Sequence, residues 1–238
     1  MKPLLIVKAG KTFPDLIEKY GDFEDWIAKG LGRLENEIQV VNAVSGPELP
    51  GPDQIKGAVI SGSHANVTQN TNWTLRLEVW TRNLIQNQVP LLGICYGHQI
   101  IAKAMGGVVD FHPVSLEIGT REVELLTGCD TDSLFQGLPS RFKVHVFHSQ
   151  SVIQLPSDAL VLARNEFEPH QAFRIGKNAW GVQFHPEADA AATRGYIRNL
   201  EKDLKASGQN SDLLVEQVEE TPHAAAVLKR FGGMVCGA

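Results

Sequence analysis

The sequence predicts an α/β fold with a mostly parallel central sheet, helices on both faces of the sheet and added antiparallel strands. In the first half of the chain, short apolar runs alternate with amphipathic helical patterns, as expected for parallel βα units. After Gly107 the apolar runs are closely spaced and joined by turns, which favours antiparallel strands. The chain has 238 residues, 43% of them hydrophobic, which is enough to form the core of one large domain.

Four apolar runs in the first half, bounded by glycine, proline or aspartate, are predicted as buried strands. They cover residues 4–7, 37–41, 57–61 and 89–94. Two helical patterns lie between them. One covers residues 15–29 with an interruption at Gly21, and the other repeats apolar side chains at three- and four-residue steps from Trp73 to Leu84.

The second half is predicted to contain five strands followed by two helices. The strands cover residues 119–125, 141–147, 159–163, 171–175 and 179–184. The helices run from 189 to about 206 and from 212 to 231. Because no long linker or repeat divides the chain, we expect a single domain over residues 1–238, with a core over about 4–205. The helical extension over about 206–238 either covers the sheet or contacts another subunit.

Composition and charge exclude several classes of function. The chain has 22 lysines and arginines against 27 aspartates and glutamates, a net charge of −5 and no long basic run, so a nucleic-acid partner is not expected. The apolar runs are far shorter than the roughly 20 residues of a membrane helix, and the start of the chain lacks a signal-peptide pattern. We therefore expect a cytoplasmic protein that does not contact a membrane.

The three cysteines, at positions 95, 129 and 236, include no C-x-x-C pair, so neither a disulfide framework nor a cysteine-based zinc site is favoured. No motif indicates a metal, nucleotide or organic cofactor, and none is expected. Each cysteine then serves either packing or chemistry. Cys129 and Cys236 have no local pattern that indicates chemistry, and packing is the expected role of both.

The segment around Cys95 has the pattern of a nucleophile turn. A predicted strand ends at Ile94, a helix is predicted to begin near Tyr96, and Gly93 and Gly97 lie two residues to either side of the cysteine. A sharp strand-to-helix turn needs small neighbours, and the helix N-terminus stabilises a thiolate. Cys95 is therefore predicted to be a nucleophile rather than a buried apolar residue.

A cysteine nucleophile needs a base and a group that orients the base. The last predicted strand runs out at His185, and Glu187 follows two residues later, with Pro186 fixing the backbone between them. Glu187 can accept a hydrogen bond from one imidazole nitrogen while the other nitrogen faces the thiol. The sequence thus predicts a Cys95–His185–Glu187 triad.

The two segments that carry this triad, GICYGHQ at 93–99 and GVQFHPE at 181–187, lie about 90 residues apart. In this order and spacing they resemble the class I (triad-type) glutamine amidotransferase family, and within it the glutaminase domain of GMP synthase. The resemblance spans about residues 4–205 and implies a flavodoxin-like sheet. It also implies that the cysteine attacks the side-chain amide of glutamine, that a γ-glutamyl thioester forms, and that ammonia and then glutamate leave. His185 would act as general base and acid, and Glu187 would orient it.

The resemblance assigns the oxyanion donors to the backbone N–H of Tyr96 and to Ser63. The turn that contains Ser63 reads Ser-Gly-Ser-His, where the family usually has Ser-Gly-Gly-Pro. A turn that required a positive φ would be strained at Ser63, and His64 replaces a rigid proline. Gly62, in the same turn, is assigned to the substrate-binding residues.

Four further residues are expected to bind the substrate. By the same resemblance, Gln99 hydrogen-bonds the glutamine, and the backbone of His148, Ser149 and Gln150 holds its α-amino and carboxylate groups. The family often has His-Gly-Asp or His-x-Asp at the last three positions. Gln150 replaces the acid, which leaves room for a γ-glutamyl compound other than glutamine.

Three functions therefore remain open. The first is a stand-alone glutaminase that supplies ammonia to a separate synthase subunit, since the chain carries no acceptor-binding module. The second is a γ-glutamyl peptidase or hydrolase that cleaves γ-glutamyl conjugates, to which the departures at Ser63 and Gln150 point. The third is a regulatory subunit without catalysis, against which the intact triad argues. The sequence does not determine the oligomeric state.

Overall fold

A nine-stranded sheet and a separate two-stranded sheet organise the computed structural model, which describes residues 2–32, 37–114 and 116–237. The strands are β1 (Leu4–Lys8), β2 (Ile38–Asn42), β3 (Gly57–Ile60), β4 (Leu91–Ile94), β5 (Val108–Phe111), β6 (Glu117–Leu125), β7 (Arg141–His148), β8 (Gln150–Gln154), β9 (Ala159–Arg164), β10 (Ala172–Ile175) and β11 (Ala179–Val182). The large sheet has the order β2-β1-β3-β4-β11-β10-β9-β6-β7, and β5 pairs with β8 in the small one.

Helices cover both faces of the large sheet. They are α1 (Pro14–Tyr20), α2 (Phe23–Gly30), α3 (Asn72–Gln86), α4 (Tyr96–Ala104), α5 (Ala190–Asn199), α6 (Glu201–Ala206), α7 (Ser211–Glu216) and α8 (Pro222–Cys236). Because side chains alternate along a strand, Ile6 of β1 faces α2 and α8, whereas Val7 faces α3 and α4. The two apolar clusters on either side of the sheet form most of the core.

The sheet is parallel in one half and antiparallel in the other. Strands β2, β1, β3, β4 and β11 pair in parallel, and β10, β9, β6 and β7 continue the sheet with antiparallel pairings. This arrangement confirms the predicted fold class, and the parallel order is that of flavodoxin-like sheets. The register places Val182 beside Ile94, so β4 and β11 end next to each other at one edge.

Several predicted boundaries differ from the structure. The predicted helix over 189–206 is divided at Leu200 into α5 and α6, and the helix over 212–231 is divided into α7 and α8. The second division lies just before Pro222, which occupies the first turn of α8 because proline is disfavoured in a helix interior. The predicted interruption at Gly21 is confirmed, since this residue has a φ of 83° and separates α1 from α2.

The C-terminal helix covers the sheet, which was one of the two expected placements. Val227, Leu228 and Phe231 of α8 are fully buried and pack in the same cluster as Trp180 of β11. Cys129 is also buried in this cluster, where its thiol donates to the carbonyl oxygen of Leu162 at 3.0 Å and burial raises its pKa to about 11. Among the described residues, no helix has the length and apolarity needed to cross a bilayer.

Two glycines allow α4 to pack closely against the sheet. A Cβ atom on Gly93 would lie 2.3 Å from the carbonyl oxygen of Gly97, and a Cβ on Gly97 would lie 2.5 Å from that of Ile60. Both distances are far below van der Waals contact with backbone atoms that cannot move independently. The glycines at these positions are therefore required by packing as well as by the turn.

We expect Gly93→Ala to lower the free energy of unfolding by more than about 2 kcal/mol, because the added methyl group forces α4 away from β4. Gly233→Ala on α8 is the matched control. No atom lies within 4 Å of its Cβ position, so this change should leave stability unaltered or raise it by about 0.5–1 kcal/mol. Urea unfolding measures both. Equal effects of the two substitutions would contradict the packing argument.

Candidate active site

Cys95 occupies a strained turn between β4 and α4. Its φ is 51° and its ψ is −98°, a conformation that residues other than glycine rarely adopt. Hydrogen bonds hold the turn on both sides: the Cys95 N–H donates to the carbonyl oxygen of Val182 at 2.8 Å, and the Gln99 N–H donates to that of Cys95 at 3.1 Å. The thiol therefore lies at the carboxyl edge of the parallel strands and at the N-terminus of α4, which favours a thiolate.

His185 and Glu187 form a buried pair beside this turn. The Nδ1 atom of His185 lies 2.8 Å from a carboxylate oxygen of Glu187, and the two residues are only 2% and 9% exposed. The His185 backbone N–H donates to the carbonyl oxygen of His145 at 2.8 Å, which fixes the segment after β11. Since Nδ1 is committed to Glu187, Nε2 is the ring nitrogen left for the thiol.

Gly62 packs between the cysteine and the histidine. A Cβ atom at this position would lie 3.1 Å from Cε1 of His185 and 3.8 Å from Cβ of Cys95. The absence of a side chain here allows the imidazole to lie close to the thiol. Gly62 thus serves the geometry of the pair, and its role in substrate binding stays a prediction.

The charge of His185 is set by competing effects. Burial lowers the pKa of its imidazole, but the carboxylate of Glu187 and the negative charge of Cys95 outweigh burial and raise that pKa to about 10. Two neighbouring histidines lack such partners, and burial lowers the pKa of His145 to about 4 and that of His98 to about 3. At neutral pH His185 is therefore an imidazolium, placed between the carboxylate of Glu187 and Cys95.

The predicted oxyanion residues line the same cavity as Cys95. The first-turn N–H of Tyr96 has no partner within its helix, and the Tyr96 side chain is held away from it by a 2.9 Å hydrogen bond between its hydroxyl and Thr74. Ser63 does not have a positive φ, so the strain expected there is absent from the turn. Its hydroxyl accepts from the N–H of Ala65 at 3.1 Å, and Ser63 is one of the residues that line the cavity.

A cavity of about 310 Å³ brings the predicted residues together. Its polar wall consists of Ser63, Gln99, His148, Ser149 and Gln150. Its apolar wall consists of Phe13, Leu116, Phe147, Tyr196 and Leu200. Cys95 also lines this cavity, and the His185–Glu187 pair lies next to it across Gly62. The sequence predicted the polar wall and missed the apolar one, because its residues come from four separate segments of the chain.

Gln99 is anchored to the protein through its amide nitrogen. This atom donates to the carbonyl oxygen of Gln150 at 2.8 Å and to the side-chain oxygen of Gln183 at 3.1 Å. Only the amide oxygen of Gln99 is left to meet a ligand. The side chain of Gln150, in turn, donates to the hydroxyl of Thr68 at 2.6 Å, so it is directed toward Thr68.

Glu117 is a buried residue of the site that sequence reasoning missed. One of its carboxylate oxygens lies 2.8 Å from Nε2 of His148 and accepts from Gln171 at 2.8 Å, and the other accepts from Asn165 at 2.6 Å. Nδ1 of His148 donates to the carbonyl oxygen of Gln150 at 3.0 Å. Glu117 therefore holds the imidazole of His148 in place. His148 in turn holds the 148–150 segment through the carbonyl oxygen of Gln150. No local pattern marks it, because its partners lie 31, 48 and 54 residues away.

Comparisons with known proteins identify a family. A model of the family "Glutamine amidotransferase class-I" matches residues 15–203. The chain is 38% identical over 171 residues to a glutamine-hydrolysing GMP synthase of Aeropyrum pernix, an alignment that covers 70% of this chain and only 31% of that protein. It is 30% identical over 173 residues to one subunit of the glutamine-hydrolysing GMP synthase of Methanopyrus kandleri, an alignment that covers 72% of this chain and 87% of that protein.

A relative with a different name also matches. The chain is 28% identical over 207 residues to a gamma-glutamyl-L-1-hydroxyisopropylamide hydrolase of a Pseudomonas species, an alignment that covers 81% of this chain and 68% of that protein. Among solved structures, a glutamine amidotransferase from Thermotoga maritima superimposes with a TM-score of 0.75 at 21% identity, with both chains fully covered. That similarity establishes a shared fold.

The charge of His185 gives a first prediction for this site. In the wild-type protein, both ring nitrogens of His185 should carry protons at pH 8, because the pKa of the ring is raised to about 10. In Glu187→Gln, the loss of the carboxylate charge should move the titration to lower pH. ¹⁵N NMR of the imidazole measures this, with His145 as a neutral reference. A neutral His185 ring in the wild type at pH 8 would contradict the assignment.

The second prediction concerns Glu117. We expect Glu117→Gln to lower the free energy of unfolding by about 3 kcal/mol, because an amide would face at least one of three donors with its own N–H groups. Glu122→Gln, on the same strand but exposed, should change stability by less than about 0.5 kcal/mol. Chemical denaturation compares the two. Similar small effects would show that the Glu117 network does not hold the 148–150 segment.

Proposed function

Because the chain belongs to the class I glutamine amidotransferase family, we propose that it hydrolyses the side-chain amide of L-glutamine through a γ-glutamyl thioester on Cys95. The observation that carries this proposal is the site geometry: a cysteine on a strained turn beside a buried imidazolium–carboxylate pair. A charged imidazole next to the thiol favours the thiolate, which is the attacking form of cysteine.

In the proposed first step, the sulphur of Cys95 attacks the amide carbon of glutamine and a C–S bond forms. The amide oxygen becomes negatively charged in the tetrahedral intermediate. The backbone N–H groups of Tyr96 and Ser63 are the proposed donors to that oxygen, and the N-terminal end of α4 adds its positive potential. The attacking form is the thiolate, which the neighbouring imidazolium of His185 and the N-terminus of α4 favour.

In the next steps, His185 transfers protons. Its Nε2–H group protonates the amide nitrogen, the C–N bond breaks, and ammonia leaves while the acyl group stays on the sulphur. A water molecule then gives a proton to Nε2 and attacks the thioester carbon, the C–S bond breaks, and glutamate leaves. Glu187 accepts from Nδ1 throughout, which keeps Nε2 directed at the reacting atoms.

The polar wall is proposed to bind the α-amino and carboxylate groups of glutamine. The carbonyl oxygen of Gln150 is anchored from two sides, by His148, which pairs with Glu117, and by Gln99. The amide oxygen of Gln99, which these hydrogen bonds leave unused, is the proposed acceptor for the substrate. Because Gln150 is neutral, the α-amino group meets dipoles here and not a carboxylate.

A separate synthase chain is the proposed consumer of the ammonia. The relative from Methanopyrus kandleri is named as one subunit of a GMP synthase, and the alignment covers 87% of it. A two-chain arrangement of this kind agrees with the expectation from the sequence. The intact Cys95–His185–Glu187 geometry argues against a purely regulatory role without catalysis.

Hydrolysis of other γ-glutamyl amides is the second candidate function. The Pseudomonas relative is named as a hydrolase of such an amide, and its alignment covers 81% of this chain. The neutral Gln150 and the altered turn at Ser63 favour the same possibility. The chemistry at Cys95 is identical in the two candidates, and only the leaving group differs.

We expect Cys95→Ala to abolish release of glutamate from glutamine while substrate still binds, because only the nucleophile is removed. Glu187→Gln should lower kcat by about 10³- to 10⁴-fold, since the wrong imidazole tautomer becomes populated. Cys236→Ala, outside the cavity, is the matched control and should retain wild-type turnover. A coupled glutamate assay, with calorimetry for binding, measures these effects. Turnover by Cys95→Ala would overturn the proposed function.

A further inference from the structure

We propose that the apolar wall of the cavity is a leaving-group subsite, which fits γ-glutamyl amides whose amide nitrogen carries an apolar alkyl or aryl group. This inference rests on the proposed γ-glutamyl chemistry at Cys95. It adds a preference for substrates with an apolar leaving group. Hydrolysis of glutamine itself does not need this preference, because ammonia buries no apolar surface.

A continuous set of aromatic rings forms this wall. The rings of Phe147 and Tyr196 stack with centroids 4.3 Å apart, and Phe13 meets Tyr196 edge-on at 5.0 Å. His64 closes the set at 4.7 Å from Phe13, and desolvation and the charge of His185 lower the pKa of its ring, which keeps it neutral. The wall is therefore apolar and carries no charge that would favour a carboxylate-bearing substituent.

The orientation of the substrate that proton transfer requires places the leaving group against these rings. The polar wall, at Gln99 and 148–150, is on the proposed α-amino and carboxylate side of the substrate. The amide nitrogen must face His185 to receive its proton, and the ring centroid of Phe147 lies 4.9 Å from that of His185. A substituent on the nitrogen then continues along Phe147 toward Tyr196 and Phe13.

The wall also has exposed apolar surface to offer a ligand. Phe13, Leu116 and Leu200 are only half-buried, and all three line the cavity. Covering such surface with an apolar group favours binding, at roughly 25 cal/mol per Å². The hydroxyl of Tyr196 makes no hydrogen bond to another described residue, although the residue is only 7% exposed. This hydroxyl and the ring nitrogens of His64 are the polar side-chain atoms of these rings.

The chemistry of the step stays balanced with a larger leaving group. His185 Nε2–H protonates the substituted nitrogen, the C–N bond breaks, and a primary amine leaves in place of ammonia. Water then restores the proton to His185 and hydrolyses the thioester, as proposed for glutamine. Burial and the nearby negative charges of Cys95 and Glu187 raise the pKa of Tyr196 far above its usual value, so its hydroxyl stays protonated through the cycle.

The test compares two γ-glutamyl amides of similar intrinsic reactivity. We expect γ-L-glutamyl-benzylamide to have a kcat/KM about 10-fold or more above that of γ-L-glutamyl-methylamide, since only the first reaches the rings. Phe13→Ala should remove most of this ratio, and Phe13→Leu should retain part of it. Val79→Ala, 62% exposed on α3, is the surface control and should leave both activities and their ratio unchanged.

The outcomes separate this proposal from the proposed function. A ratio near one, or a ratio that Phe13→Ala does not change, overturns the subsite even if glutamine is hydrolysed. If no γ-glutamyl amide is turned over, the proposed function fails, and binding then decides the subsite. Calorimetry on Cys95→Ala should show the benzylamide binding about 10-fold more tightly than the methylamide, and equal affinities would overturn the proposal.

Discussion

The positive φ of Cys95 is the constraint on which the rest of the site depends. A non-glycine residue keeps this conformation only where its surroundings enforce it. Here the Val182 carbonyl accepts its N–H, and Gly93 and Gly97 let α4 approach β4. Because β11 pairs in parallel with β4, the chain that continues from β11 brings His185 to the same edge. The turn, the strand pairing and the helix N-terminus thus place Cys95 and His185 at the same edge of the sheet.

The charge of His185 follows from its burial and from its pairing with Glu187 and Cys95. His185 is deeply buried, which disfavours its charged form, yet Glu187 and Cys95 raise its pKa to about 10. His145 and His98, buried nearby without such partners, have lowered pKa values. The site therefore has a charged His185, whereas burial keeps His145 and His98 neutral.

The sequence predicts those features that depend on local pattern. Alternating apolar runs and helices predict the parallel half of the sheet, and the segments around Cys95 and His185 predict which side chains meet. It does not predict Glu117, whose three partners are distant in the chain, nor strands β5 and β8, whose polar residues interrupt the apolar runs and which pair in a separate sheet. The aromatic wall is missed because its rings come from a loop, a strand and a helix that are distant in the chain.

The proposed function depends on acyl transfer to Cys95, and the decisive experiment is to trap the acyl-enzyme. The protein is mixed with glutamine or γ-glutamyl-benzylamide, quenched in acid within milliseconds to seconds, and mapped by peptide mass spectrometry. We expect a γ-glutamyl adduct on the peptide that contains Cys95 and none on those of Cys129 or Cys236. Release of glutamate without any adduct on Cys95, or an adduct on another cysteine, would contradict the proposed function.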